Sequence, residues 1–247
     1  MLAHALLLQG RVAAAQEKWT AVSAPLERLL KELPESTLRP AAEYYAAEAV
    51  YQQGRYEEAA KRFAELAPRL AGQTEKWVAM VPLRQAQSLA HLQKWTEARR
   101  VAERIAAAHP NFEAQYEVDY VLGRCHAGQA MFQEARVAYE RVVRSTSGGK
   151  TETAAMAQWM IGETYFHQKD YRTALKEYLR VEILYAYPKW QAAALLQAGK
   201  CCEQLGHWSL AAKYFERVVS EYGGTEFKVE AEKRLRTAQQ RRRPPTR

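Results

Sequence analysis

Aspartate occurs only at Asp119 and Asp170, and asparagine only at Asn111. With so few short carboxylates, no Ser-His-Asp or paired-carboxylate arrangement can be assembled for catalysis. The histidines are His4, His91, His109, His126, His167 and His207, and none stands in ligand spacing with another histidine or a cysteine. Cys125 and His126 are adjacent, and neighbours on a helix point about 100° apart, so they do not converge on a metal. Cysteine appears only at Cys125, Cys201 and Cys202, which makes no disulfide framework and fits free thiols in a reducing compartment. Cys202 falls on a packing position, as a small buried hydrophobe does. No apolar run approaches the roughly 18 residues of a membrane span. The opening Met1-Leu2-Ala3-His4-Ala5-Leu6-Leu7-Leu8 lacks the basic start of a signal peptide. Gly148-Gly149-Lys150-Thr151 imitates the end of a phosphate-binding loop, but Arg144 stands where that loop needs its first glycine, and no strand precedes it. It reads as a loop between helices. These absences describe a chain with no enzyme site, no cofactor and no metal.

Alanine, glutamate, arginine, glutamine and leucine dominate instead, and most are strong helix formers. β-branched residues are sparse and no stretch alternates with period two, so almost no sheet is expected. The net charge of +8 is unevenly spread. From Thr225 onward Lys228, Lys233, Arg234, Arg236, Arg241, Arg242, Arg243 and Arg247 face only Glu226, Glu230 and Glu232. Such a tail is either a solvated end or a contact for nucleic acid or an anionic surface.

A pattern of turn, aromatic residue, two variable residues and alanine recurs along the chain. It reads Gly54-Arg55-Tyr56-Glu57-Glu58-Ala59, then Trp95 with Ala98, Phe132 with Ala135, Tyr171 with Ala174, and Trp208 with Ala211. A weaker first copy is read at Gly10-Arg11-Val12-Ala13-Ala14-Ala15. Ala59 to Ala98 and Ala135 to Ala174 are 39 residues apart; Ala98 to Ala135 and Ala174 to Ala211 are 37. Four residues after each alanine stands a further packing residue: Trp19, Phe63, Ala102, Tyr139, Tyr178 and Phe215. Twelve before it stands a small one: Ala3, Ala47, Ala86, Gly123, Gly162 and Gly199. A small residue on a first helix (A) lets its partner helix (B) approach closely, and the aromatic on the same face as the alanine fills the next gap. The A helices are expected near 2–9, 38–53, 74–92, 112–128, 151–168 and 189–205. The B helices are expected near 12–32, 55–70, 95–108, 131–145, 171–185 and 207–221. Residues 1–224 form six units, the first weak or truncated. A helix over 225–240, with Phe227, Ala231 and Leu235 as its apolar stripe, caps the array, and 241–247 is a basic disordered tail.

This pattern resembles the tetratricopeptide repeat family over essentially the whole chain. The segments Tyr187-Pro188-Lys189-Trp190 and Tyr222-Gly223-Gly224-Thr225-Glu226-Phe227 look like a bacterial subset with longer units, which includes the repeat domain of the Tol-Pal cell-division coordinator and the lipoprotein of the outer-membrane barrel-assembly machine. The resemblance implies an all-α solenoid of about six helix pairs, wound as a right-handed superhelix. It implies a non-catalytic cell-envelope scaffold whose partner is a protein or peptide, with edge-to-edge self-association as a second use. Met1 falls almost at the start of an A helix, as in a domain of a longer protein. Family positions place a concave groove on the A helices. They carry Tyr44, Glu48 and Tyr51 there from the second unit; Arg84, Gln87 and His91 from the third; Tyr120 and Arg124 from the fourth. The fifth gives Trp159, Glu163, Phe166 and His167, and the sixth Lys200 and Glu203. Members that clamp a C-terminal carboxylate resemble one another in using Lys and Asn, and Asn111 lies in a turn, so that clamp is not expected. The reading from another class is a binder of nucleic acid or an anionic surface through the basic C-terminal helix and tail.

Overall fold

The computed structural model describes residues 1–73, 75 and 77–242. Thr74, Lys76 and residues 243–247 of the expected basic tail lie outside the described residues. Among the described residues the chain is all-α, with thirteen helices, one 3₁₀ turn and no strand. It divides into two compact units, Met1–Gln129 and Ala130–Arg247.

The first unit holds α1 (Leu2–Ala15), α2 (Trp19–Glu32), α3 (Arg39–Gln52), α4 (Tyr56–Leu66, continued by a 3₁₀ turn over Ala67–Leu70), α5 (Met80–His91), α6 (Trp95–Ala108) and α7 (Gln115–Gly128). Each helix packs on the next, and the A helices α1, α3, α5 and α7 also touch one another in succession. The second unit holds α8 (Phe132–Arg144), α9 (Glu152–His167), α10 (Tyr171–Leu184), α11 (Pro188–Gln204), α12 (Trp208–Glu221) and α13 (Lys228–Arg242). There too each helix packs on the next, and α9 touches α11.

The repeat alanines Ala59, Ala98, Ala135, Ala174 and Ala211 are all fully buried, as are Phe63, Ala102, Tyr139, Tyr178 and Phe215 one turn later. The glycines opposite show why small residues are required. A methyl added at Gly162 would stand 2.6 Å from Tyr178 Cδ1, and one at Gly199 would be closer still to the Phe215 ring. The B-helix ring packs against bare A-helix backbone.

The first copy lies seven residues later than the sequence pattern places it. Helix α1 runs through Gly10 and α2 begins only at Trp19, so the expected helices over 2–9 and 12–32 are replaced by Leu2–Ala15 and Trp19–Glu32. Gly10 is not the turn but the small A-helix residue: a methyl there would stand 2.6 Å from Leu26 Cδ2. Trp19 is therefore the aromatic that opens a B helix, with Val22 in the alanine place and Leu26 in the ring place, both fully buried. Ala15, read as the packing alanine, is exposed. The pattern missed this copy because Val22 and Leu26 fill the gap with different residues.

The six A-to-B turns share one backbone solution. Glu17, Gly54, Gln93, Ala130, Lys169 and Gly206 all adopt positive φ, between 56° and 77°. The following N–H then reaches back to the helix: Lys18 donates to the Ala13 carbonyl at 2.9 Å, Lys94 to Leu89 at 2.9 Å and His207 to Cys202 at 2.8 Å. This is the Schellman arrangement, which satisfies carbonyls the helix end would leave orphaned. The next residue but one after each positive-φ position opens the B helix.

Helix α5 begins at Met80 rather than near 74, with Pro82 in its first turn, where no amide donor is needed. Pro25 stands inside α2. The last helix, α13, packs on α12 through Ala231, Leu235 and Ala238, with Phe227 just ahead of it, and extends to Arg242, so the first two residues of the expected tail are helical. Where the other A helices carry Gly or Ala to receive a B helix, α13 carries the exposed Arg236. At the other end α1 presents Leu8, 59% exposed, and Val12, 46% exposed. Their row in α3 includes Ala42 and Ala49, which are fully buried in the cluster with Val22, Leu26 and Leu29.

Candidate functional site

In the first unit the expected groove residues meet where α3, α5 and α7 run side by side. Arg84 Nε donates to Glu48 Oε2 at 2.8 Å and its Nη1 to Gln87 Oε1 at 2.7 Å. Its guanidinium carbon stands 5.0 Å from the centre of the Tyr51 ring, within cation–π reach. Gln87 Nε2 passes the chain on to Glu117 Oε2 at 3.3 Å. Glu48 is only 6% exposed, and so close a partner is what makes an ionised carboxylate tenable there. Burial, with the Glu48 charge behind it, pushes the Tyr44 phenol well above its ordinary range. His91 lies parallel to Tyr56, ring centres 4.1 Å apart, with Tyr51 edge-on to both. Burial and the Arg124 charge hold the His91 imidazole down at about 4. Tyr120 and Arg124 stand on α7, and Arg124 Nη2 donates to the Ala90 carbonyl at 3.4 Å.

In the second unit α9 and α11 carry the remaining positions. Glu163 is their hub: it accepts from Tyr178 Oη at 2.5 Å and from Gln197 Nε2, and His167 Nε2 lies 4.0 Å away. Trp159 leans on Trp190, centres 5.9 Å apart, and on Tyr178 at 6.3 Å. Its indole Nε1 is buried with no hydrogen-bond partner among the described residues. Phe166 meets Tyr171 edge-on, and His167 lies parallel to Phe132. Lys200 pairs with Glu230 at 3.0 Å, and Glu203 with Arg234 at 2.6 Å, so both are tied to α13.

The expected residues thus gather on the A helices of each unit, and most are engaged with one another. The sequence reading missed Glu117, Trp190 and Gln197, which complete these networks. Spacing held the signal: Glu117 precedes Arg124 by two helical turns, and Trp190 precedes Gln197 by the same interval.

The remaining chemistry is structural. Thr151 caps α9, its Oγ1 accepting from the Ala154 N–H at 3.3 Å and donating to the Gly148 carbonyl at 2.6 Å. The glycine-lysine-threonine stretch is therefore a helix entry. Asp170 caps α10 in the same way, which holds its carboxyl below the usual range. Burial pushes the Cys201 thiol up to about 12, and Cys202 and Cys125 to about 11, so all three stay protonated near neutral pH. Among the described residues no group of three His, Cys, Asp or Glu could hold a metal ion, and no helix is long and apolar enough to cross a membrane.

Sequence models of the tetratricopeptide repeat match residues 83–150 and 120–189, and another matches 193–225, together more than half of the chain. The chain belongs to the tetratricopeptide repeat proteins. No curated protein matches it. Among solved structures, the crystal structure of PilW, a widely conserved type IV pilus biogenesis factor, is 16% identical, with a TM-score of 0.72, covering 97% of this chain and 99% of that one. Pseudomonas aeruginosa pilF is 15% identical with a TM-score of 0.67, over 94% of this chain and 97% of that one. The apo form of the quorum sensor NprR from B. thuringiensis is 15% identical with a TM-score of 0.75, over 96% of this chain and 68% of that one. At such identities these likenesses show the tetratricopeptide fold.

Proposed function

We propose that this tetratricopeptide protein is a non-catalytic scaffold that holds a segment of another protein against its A-helix face, within a bacterial cell-envelope assembly. The observation that carries the groove is the inner network itself. Glu48, Arg84 and Gln87 in one unit, and Glu163, Tyr178 and Gln197 in the other, fix aromatic and charged side chains in place before any partner arrives. A preformed surface loses little conformational entropy on binding, and aromatics among charges suit peptide anchors. The envelope setting is supported by the likeness to PilW and by the units' resemblance to envelope repeat proteins.

The reading as a nucleic-acid or anionic-surface binder has less behind it. On α13, Arg234 is spent on Glu203 and Glu230, and Arg241 lies 4.7 Å over the Trp208 ring. The test is affinity capture from the native organism with the full chain, beside Trp159→Ala and Arg84→Gln and a version lacking residues 243–247. A protein captured by the wild type and the shortened chain but lost by the two groove variants, with circular dichroism unchanged, supports the scaffold. Capture that survives both groove variants overturns it.

A further inference from the structure

The A-helix face of the first unit carries a cation that its own carboxylates do not neutralise. Arg84 is neutralised by Glu48, and Glu117 receives Gln87. Arg124 is different. It is half-buried on α7, and among the described residues its one hydrogen bond is the long one to the Ala90 carbonyl in the last turn of α5. Among the described residues no carboxylate pairs with it. A guanidinium has five N–H donors in a planar fork, so most of this one is unspent. Its charge is felt by Tyr51 and by His91, which remains neutral at physiological pH and supplies no second cation. An unspent guanidinium is therefore anchored at Ala90, beside the His91 ring that stacks on Tyr56 and meets Tyr51 edge-on.

We propose that Arg124 receives the side-chain carboxylate of an aspartate or glutamate in the protein segment held by the groove, the flanking apolar residues of that segment lying on Tyr51 and Tyr56. This rests on the groove reading above. The single charge selects the occupant. Phosphorylated segments are held by clusters of arginine, and here the neighbouring Arg84 is already paired with Glu48 at 2.8 Å. The planar fork matches a carboxylate, and removal of both from bulk water strengthens the pair beyond an exposed one.

The experiment uses the full chain as bait for a phage library of random dodecapeptides, followed by fluorescence anisotropy on an enriched peptide. The expected outcome is an Asp or Glu at a fixed distance from an apolar or aromatic residue. Arg124→Gln then weakens that peptide about fivefold to tenfold, the peptide's own Glu→Gln change does the same, and the two together do no more. Arg124→Glu moves the selected position to Lys or Arg. Enriched peptides without a common acidic position, or losses that simply multiply, overturn the assignment while leaving the groove in place. A library that returns no peptide sensitive to Trp159→Ala or Arg84→Gln overturns the groove and this inference with it.

Discussion

Single atoms decide several sites. Gly199 has no room for a methyl because the Phe215 ring already occupies that volume. Gly199→Ala should destabilise the protein by about 1–3 kcal/mol through overpacking, read as a lower midpoint in urea. Truncating the ring instead, by Phe215→Ala, leaves a cavity and should cost about 3–5 kcal/mol. His91 gives a pH signature. Its folded pKa of about 4 lies below the ordinary 6.5, so the unfolded chain takes up the proton first. The contribution is complete above pH 6.5 and is lost as pH falls from there toward 4. The imidazole is partly solvated, so the loss is at most about 1 kcal/mol. His91→Gln should flatten the difference between denaturation curves at pH 7 and pH 5. At this scale the sequence was informative where volume is the constraint: every later repeat alanine is buried, as spacing implied. It was less informative about the proposed groove. The family resemblance put Arg84, Glu48 and Glu163 on A helices, but which side chain reaches which partner depends on neighbouring helices that it does not orient.

Helices end where the backbone can turn left-handed. Two of the six A-to-B turns use glycine, Gly54 and Gly206, while Ala130 and Lys169 adopt the same conformation with a Cβ in the way. Exchanges at these places should act in opposite directions. Gly206→Ala should lower the thermal midpoint by the equivalent of about 1 kcal/mol, although its side chain would meet nothing within 4 Å. Ala130→Gly should raise it by a smaller amount, the relieved strain outweighing the more flexible unfolded chain. Differential scanning calorimetry on the pair measures both. The same geometry explains the misplaced first copy. Spacing took Gly10 for a turn, since glycine serves both as helix terminator and as the bare patch beneath a ring. Only the burial of Leu26 against it, and the positive φ at Glu17, separate the two roles.

For the molecule as a whole, the packing rule outlasts the residues that announce it. The family's sequence models take hold at residue 83, yet α1 to α4 follow the same scheme with Val22 and Leu26 standing in for alanine and aromatic. What is repeated is a sequence of volumes, and stability in such an array is close to a sum over neighbours. The two ends differ in that sum. α13 turns Lys233 and Arg236 outward, whereas α1 offers Leu8 and Val12. A further unit should therefore pack better against α1 than against α13. A duplicate of α3 and α4 fused ahead of Met1 in register should dock, shield that bare aliphatic row and raise the denaturation midpoint. The same duplicate fused after α13 would meet Lys233 and Arg236 and should add less.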